Sequence, residues 1–251
     1  MYLEKNNILP VLRKLACFES ELGTLFSNFN LSLRENTGRR NMLLSQAQEV
    51  FFADAIASSG FNVSCSGKTG EPDIVIECIG KELECKLTSS ENRSWPLQCD
   101  YSTILKKGEI DFLYVLSDRD FSRFAVLFFE NLSADDFHFP APGSRQKARM
   151  NKSLAMKKCT VLYGSTKIKN DRYIEKYTRA LSESTSKNIE RIASLRERMG
   201  DANTEKKKHK VSQMISNEEM RFQRKHLKLC EKIKYWKELG DQYEISLEPI
   251  Q

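Results

Sequence analysis

The feature that most constrains the fold is the segment EPDIVIECIGKELECKLT, residues 71–88, where apolar and charged residues alternate on both sides of Gly80. Alternation over about 4–8 residues is typical of a strand with one buried face. The pattern predicts two adjoining antiparallel strands with a turn at Gly80-Lys81. If the apolar sets of both strands enter one core, a charged set shares the opposite surface: Asp73, Glu77, Glu84 and Lys86.

The position of the turn decides which of these carboxylates come together. A tight turn at residues 80–81 would place Glu84 opposite Glu77 and leave Asp73 four residues further along, at about 13 Å. A longer turn centred nearer Cys78 and Ile79, or a bulge or splay of the strands, would bring Asp73 towards Glu84 instead. The alternation alone leaves Asp73 and Glu77 as alternative partners of Glu84.

Predicted helices and strands alternate around this segment. Apolar spacing predicts helices at residues 8–28 and 41–59, and a further helix that ends at Gly108. Short apolar runs predict strands at residues 61–65, 111–118, 123–130 and 158–164. This order describes an α/β fold with a mixed central sheet flanked by helices.

The C-terminal part of the chain has a different character. Residues 171–238 lack proline, carry many charges and predict two long helices that divide near residues 200–210. No continuous heptad seam is predicted, because Ser184, Asn188 and Arg191 occupy positions where a seam needs apolar side chains. We expect a body at residues 1–170 and a charged helical extension at 171–251, which packs locally, dimerises or contacts DNA.

Charge is unevenly distributed along the chain. Residues 1–140 carry 14 Lys and Arg against 20 Asp and Glu, whereas residues 141–170 carry 8 against none. An acidic body with a basic loop at residues 141–158 suits a polyanionic partner, although a solvated loop has the same composition. The candidate phosphate contacts are Arg145, Lys147, Arg149, Lys152, Lys157 and Lys158.

Three features of the sequence argue against membrane insertion and secretion. No run of residues approaches the roughly 20 apolar residues of a membrane span. The N-terminal sequence lacks the order of a signal peptide, and the seven cysteines contain no C-x-x-C pair. We therefore expect a cytoplasmic protein without a membrane partner.

The residues Pro72-Asp73 and Glu84-Cys85-Lys86 resemble the PD-(D/E)xK signature of the restriction-endonuclease-like nucleases. The resemblance extends upstream, where Glu49 on a predicted helix precedes a Gly-aromatic pair at residues 60–61. It covers about 45 residues of the chain, from Ser45 to Leu87. In this family such a helix stands before the strands that carry the signature.

The resemblance implies a metal-dependent active site. Asp73 and Glu84 would bind Mg²⁺, for which Mn²⁺ can substitute, and the backbone carbonyl of Cys85 would be a further ligand. Lys86 would orient the attacking water or stabilise charge at phosphorus, and Glu49 would complete the carboxylate shell. The family pattern favours Asp73 over Glu77 as the partner of Glu84.

The resemblance also implies a class of reaction. The expected activity is that of a type II restriction endonuclease, which cleaves double-stranded DNA at a short site and commonly acts as a homodimer. Two alternatives are a structure-selective nuclease such as a Holliday junction resolvase, and a non-catalytic DNA-binding protein with a decayed nuclease core.

Overall fold

The computed structural model describes residues 2–65, 71–89, 95, 97–140 and 147–250. The chain divides into two compact units. The first unit comprises Met1–Lys167 and Tyr243–Gln251, and the second comprises Ile168–Gln242. The second unit is therefore an insertion between two segments of the first.

A mixed sheet forms the centre of the first unit. Among the described residues its strands follow the order β1 (Val63–Ser64), β2 (Ile74–Ile76), β3 (Lys81–Ser89), β5 (Ile110–Ser117), β6 (Arg123–Leu132) and β12 (Glu248–Pro249). A seventh strand, β9 (Cys159–Tyr163), also pairs with β6. Strands β3 and β5 are parallel, while the other strand pairs described in this sheet are antiparallel. The prediction of an α/β fold with a mixed central sheet is confirmed.

Both faces of the sheet are covered by apolar residues. Helices α1 (Lys5–Asn28) and α2 (Thr37–Ser58) contribute to one core cluster, together with alternate residues of β5 and β6. The intervening residues of these strands enter a second cluster with α3 (Tyr101–Lys107) and α4 (Lys152–Ala155). All eight residues of β5 are buried, as its continuous apolar run predicted.

A small antiparallel sheet accompanies the second cluster. It consists of β4 (Gln98–Cys99), β8 (Ala148–Met150) and β7 (Phe137–His138), with β8 in the middle. The segment that was predicted as a basic loop at residues 141–158 instead contains β8, α4 and a 3₁₀ turn at Met156–Lys158. Ala148, Met150, Ala155 and Met156 are buried, and their burial accounts for the regular structure.

The second unit contains two antiparallel helices, α5 (Asn170–Gly200) and α6 (Glu205–Glu238), as predicted for this region. Strands β10 (Ser165–Ile168) and β11 (Tyr243–Ser246) pair with each other before and after the helices in the chain. At one end of the helix pair, Tyr173 and Trp236 stack at a centroid distance of 4.2 Å. Leu195 and Val211 are buried towards the other end.

No helix in the described part of the chain has the length and apolar character needed to cross a membrane.

Candidate active site

The prediction of a tight turn at Gly80-Lys81 is wrong. The turn between β2 and β3 is longer. Glu77–Ile79 form a 3₁₀ turn, and Gly80 follows in the left-handed region at φ 62°. Ile74 pairs with Leu83 and Ile76 pairs with Lys81, so the reversal is centred near residues 78–79. This is the longer turn that the sequence left open as an alternative.

The longer turn brings Asp73 next to β3. One residue beyond the Ile74–Leu83 pair, this register places Asp73 opposite Glu84. The Asp73 Oδ2 atom accepts a hydrogen bond of 2.7 Å from the backbone amide of Cys85. Burial raises the pKa of Asp73, while Lys86 and the Cys85 amide act in the opposite direction.

Glu84 and Lys86 project from the same face of β3 and form an ion pair. The Lys86 Nζ atom donates a hydrogen bond to Glu84 Oε1. Glu84 is only 7% exposed, and burial raises its pKa against the opposing effect of Lys86. Burial acts to lower the pKa of Lys86, but Glu84 and Asp73 outweigh this effect and the pKa is raised. Lys86 is therefore held in its charged form.

Helix α2 supplies the third carboxylate. Gln48 is buried on this helix, and its Nε2 atom donates a hydrogen bond of 3.4 Å to the carbonyl of Lys86. Glu49 follows Gln48 and is half-buried, with its pKa raised to about 7 by burial and by the charge of Asp73. Leu44 and Phe52 are buried in the adjoining core, so packing and a side-chain hydrogen bond both hold α2 against the strand.

The side chains that meet here fit the donor set of a hard divalent cation. Asp73, Glu84 and Glu49 repel one another electrostatically and are partly removed from water, and a cation would offset both effects. Across the described ranges, no three or more His, Cys, Asp or Glu side chains form a preformed metal-binding group. Two carboxylates suffice for Mg²⁺, which takes its remaining ligands from water and substrate phosphate.

Glu77 does not join this group of side chains. It is exposed on the 3₁₀ turn, and its Oε2 atom accepts a hydrogen bond of 2.7 Å from Asn62 Nδ2. The structure therefore places Asp73, and not Glu77, beside Glu84.

Sequence reasoning missed Asp100, whose carboxylate acts electrostatically on both Glu84 and Lys86. Tyr114 on β5 donates a hydrogen bond of 3.1 Å to the carbonyl of Gln98, which holds β4 near the central sheet. Asp100 follows β4 at the N-cap position of α3, but its side chain makes no capping hydrogen bond. An aspartate directly before a predicted helix usually caps that helix, so the position of Asp100 in the sequence did not identify it as a residue of the site.

The predicted phosphate contacts have different environments. Arg149 is exposed on β8, Lys157 is exposed on the following turn, and Lys152 is half-buried on α4. Lys147 lies 3.8 Å from Asp100. Lys158 donates hydrogen bonds to the Asn131 carbonyl (3.0 Å) and to Asp136 Oδ2 (2.8 Å). Arg145 lies outside the described residues.

These contacts separate the basic residues into two groups. The bonds of Lys158 tie the turn before β9 to the end of β6, which is a structural role. Lys147 and Arg149 flank Ala148, which pairs with Cys99 beside Asp100. The small sheet thus brings Lys147 close to Asp100, which acts electrostatically on Glu84 and Lys86.

The chain matches none of the protein-family models, curated proteins or solved structures with which it was compared.

Proposed function

We propose that this protein is a Mg²⁺-dependent DNA endonuclease with a restriction-endonuclease-like core. The observation that carries the proposal is the convergence of three carboxylates around Lys86: Asp73 directly before β2, Glu84 on β3 and Glu49 on α2. A solvated sheet face would not require a helix to add a third, half-buried carboxylate to the same place.

The residues have complementary roles in the proposed reaction. Hydrolysis of a phosphodiester forms a bond from a water oxygen to phosphorus and breaks one phosphorus–oxygen bond, while negative charge accumulates at the phosphoryl group. Asp73 and Glu84 would hold the ion, with the Cys85 carbonyl as a further ligand. When bound, Mg²⁺ lowers the pKa of water and neutralises phosphate charge.

Lys86 and Glu49 act beside these ligands. The ammonium group of Lys86 remains charged between Glu84 and Asp73, and it would stabilise the negative charge that develops at phosphorus. Glu49 completes the carboxylate shell from α2. Lys147 and Arg149 would contact backbone phosphates close to the site.

The proposed substrate is double-stranded DNA with a short specific site, cut by a homodimer of the type II restriction class. Purified protein incubated with plasmid DNA and Mg²⁺ should yield discrete fragments, and Mn²⁺ should support the reaction whereas EDTA should stop it. Cleavage restricted to four-way junctions would assign a resolvase instead. Absence of cleavage of either substrate in both metals would refute the enzymatic proposal.

Variants of the carboxylates test the site itself. Asp73→Ala, Glu84→Ala and the more conservative Glu84→Gln should abolish cutting while duplex binding in EDTA persists. Glu77→Ala is the matched control, because Glu77 is an exposed carboxylate on the same hairpin. Circular dichroism should show that each variant is folded. Wild-type cutting by Glu84→Gln and Asp73→Ala, or loss of cutting in Glu77→Ala, would overturn the assignment.

A further inference from the structure

A basic groove lies on the helix pair of the second unit. We define it by four exposed cations of α6 and two of α5: Arg221, Arg224, Lys225, Lys228, Lys187 and Arg191. Two adjoining depressions of about 420 and about 230 Å³ make up the groove, and they share Arg221 and Lys225. Glu218 is the only acidic residue that lines either depression.

The charges of this groove repel one another. Arg221 and Lys225 are four residues apart on α6, as are Arg224 and Lys228, so each pair lies on one side of the helix. Like charges at this spacing destabilise a helix. Residues 220–230 contain no Asp or Glu that could compensate within the segment.

Two lysines elsewhere on α6 are paired with glutamates of the same helix. Lys208 pairs with Glu205 at 3.2 Å, and Lys234 pairs with Glu238 at 3.8 Å. Within the described residues, the groove has a single ion pair, between Arg191 and Glu218 at 3.4 Å. The groove differs from the other basic run of α6, at residues 206–210, because its cations line depressions of the surface and that run lines neither depression.

The middle of the helix pair is also unusually polar. Ser184 is buried, and the Asn188 Oδ1 atom is buried without a hydrogen-bond partner among the described residues. Ser184, Asn188 and Arg191 line the smaller depression together with Phe222. A polar seam contributes less to packing than an apolar one. Ser184, Asn188 and Arg191 thus form part of a depression lined by cations, although apolar side chains there would contribute more to the packing of α5 against α6.

We propose that the basic groove binds the phosphate backbone of double-stranded DNA, as a second contact in addition to the catalytic site. Four α6 cations between residues 221 and 228 extend over about 10 Å, since a helix rises 1.5 Å per residue. Duplex DNA carries one charge per about 1.7 Å of its axis, so the groove can reach several phosphates. The choice of DNA among polyanions rests on the proposed nuclease function.

The test compares two variants of the full-length protein with equal loss of charge. The groove variant is Arg221→Gln, Arg224→Gln, Lys225→Gln and Lys228→Gln, in which Gln preserves helix propensity. The control variant is Arg172→Gln, Arg179→Gln, Arg196→Gln and Arg198→Gln, at exposed positions of α5 outside the groove. Binding of a fluorescent duplex of about 30 base pairs is measured in EDTA over a range of salt concentrations.

The groove variant should reduce the slope of log K against log salt by about 3, because each phosphate contact contributes about 0.9. The control variant should reduce it by less than about 1. Equal reductions in both variants, or none in the groove variant, would overturn the proposal. A groove variant that loses binding to phosphatidylserine vesicles but keeps its DNA slope would also overturn it.

Cleavage assays separate this proposal from that of nuclease activity. A groove-specific change of salt slope in a protein that cuts no DNA would support the groove and refute the nuclease. Cutting by a groove variant with an unchanged salt slope would support the nuclease and refute the groove.

Discussion

At the scale of single residues, the candidate site depends on opposite charges that share a partly buried location. Glu84 and Lys86 are adjacent on one face of β3, and Asp73 reaches the same strand through the Cys85 amide. Burial disfavours each isolated charge, so the ion pair and the amide bond are what keep the group intact. We therefore expect some substitutions in this group to change mainly the cleavage rate and others to change mainly the stability of the fold, depending on the contact that each removes.

Replacement of Lys86 by Ala should reduce the cleavage rate by about 10²–10⁴-fold, because charge at phosphorus loses its stabilising ammonium group. DNA affinity in EDTA should remain nearly unchanged. Lys106→Ala is the control, since Lys106 is an exposed lysine on α3. Single-turnover cleavage with excess enzyme measures the rate. The assigned role would be contradicted by a Lys86→Ala protein that cuts at the wild-type rate.

The pH dependence of stability should report the environment of Glu49. Its pKa rises from 4.5 to about 7 on folding, so the folded protein binds more protons between these values. The stabilising contribution of the protonated group is complete below the unfolded pKa and disappears as pH rises through about 7.

Glu49→Gln should therefore raise the melting temperature in EDTA more at about pH 8 than at about pH 5.5. Thermal unfolding of the wild type and the variant at both pH values gives this difference. The Glu77→Gln variant, at an exposed position, is the control for removal of a surface carboxylate. An equal effect of Glu49→Gln at both pH values would refute the buried environment.

At the scale of elements, the turn between β2 and β3 decides the composition of the site. The 3₁₀ turn adds residues to the reversal, and Gly80 completes it in the left-handed region. This geometry places Asp73 opposite Glu84, while Glu77 accepts a hydrogen bond from Asn62 instead. A tight turn would have produced the opposite pairing, so the conformation of one short connection determines which carboxylate reaches β3.

Gly80→Ala should destabilise the protein by about 1–2 kcal/mol, because an L-residue in the left-handed region is strained. A Cβ at this position would meet nothing within 4 Å, so the cost is purely conformational. Gly23→Ala, in the interior of α1, is the matched control and should stabilise by about 0.5–1 kcal/mol. Urea denaturation measures both changes, and destabilisation by the control alone would contradict the proposed turn.

At the scale of the whole molecule, the helix pair of α5 and α6 is inserted in the chain between two short strands, β10 and β11, which pair with each other. The Lys169 amide donates a hydrogen bond of 2.7 Å to the Gln242 carbonyl, so the ends of the insertion lie together. In the part of the chain that the structure describes, the residues of the central sheet and of both core clusters belong to the first unit. The first unit thus has the core of an independently folding domain.

Replacing residues 170–241 with Asn-Gly should leave the first unit folded, because this dipeptide suits a two-residue hairpin turn. The shortened protein should melt cooperatively and retain plasmid cleavage at low salt, while its duplex affinity becomes less dependent on salt concentration. Calorimetry and the DNA-binding assay provide the measurements. An unfolded product would show that the first unit needs the helix pair.

Sequence patterns predicted most elements because local periodicity reports burial directly. Observed elements correspond to the strands predicted at 111–118 and 123–130, to the two N-terminal helices and to the division near residues 200–210. Agreement is poorer where the pattern is ambiguous. The buried positions of α2 include Arg40, a charged residue that apolar spacing does not mark as a core position.

The sequence by itself determined that carboxylates and Lys86 occupy one face of adjoining strands, because side chains alternate along a strand with a period of two. Only the tertiary structure decided that Asp73 and not Glu77 lies beside Glu84, and that Asp100 approaches the same group. These contacts depend on the path of a turn and on the packing of distant segments. The local propensity of the sequence predicts neither the path of the turn nor the packing of distant segments, because both depend on the whole core.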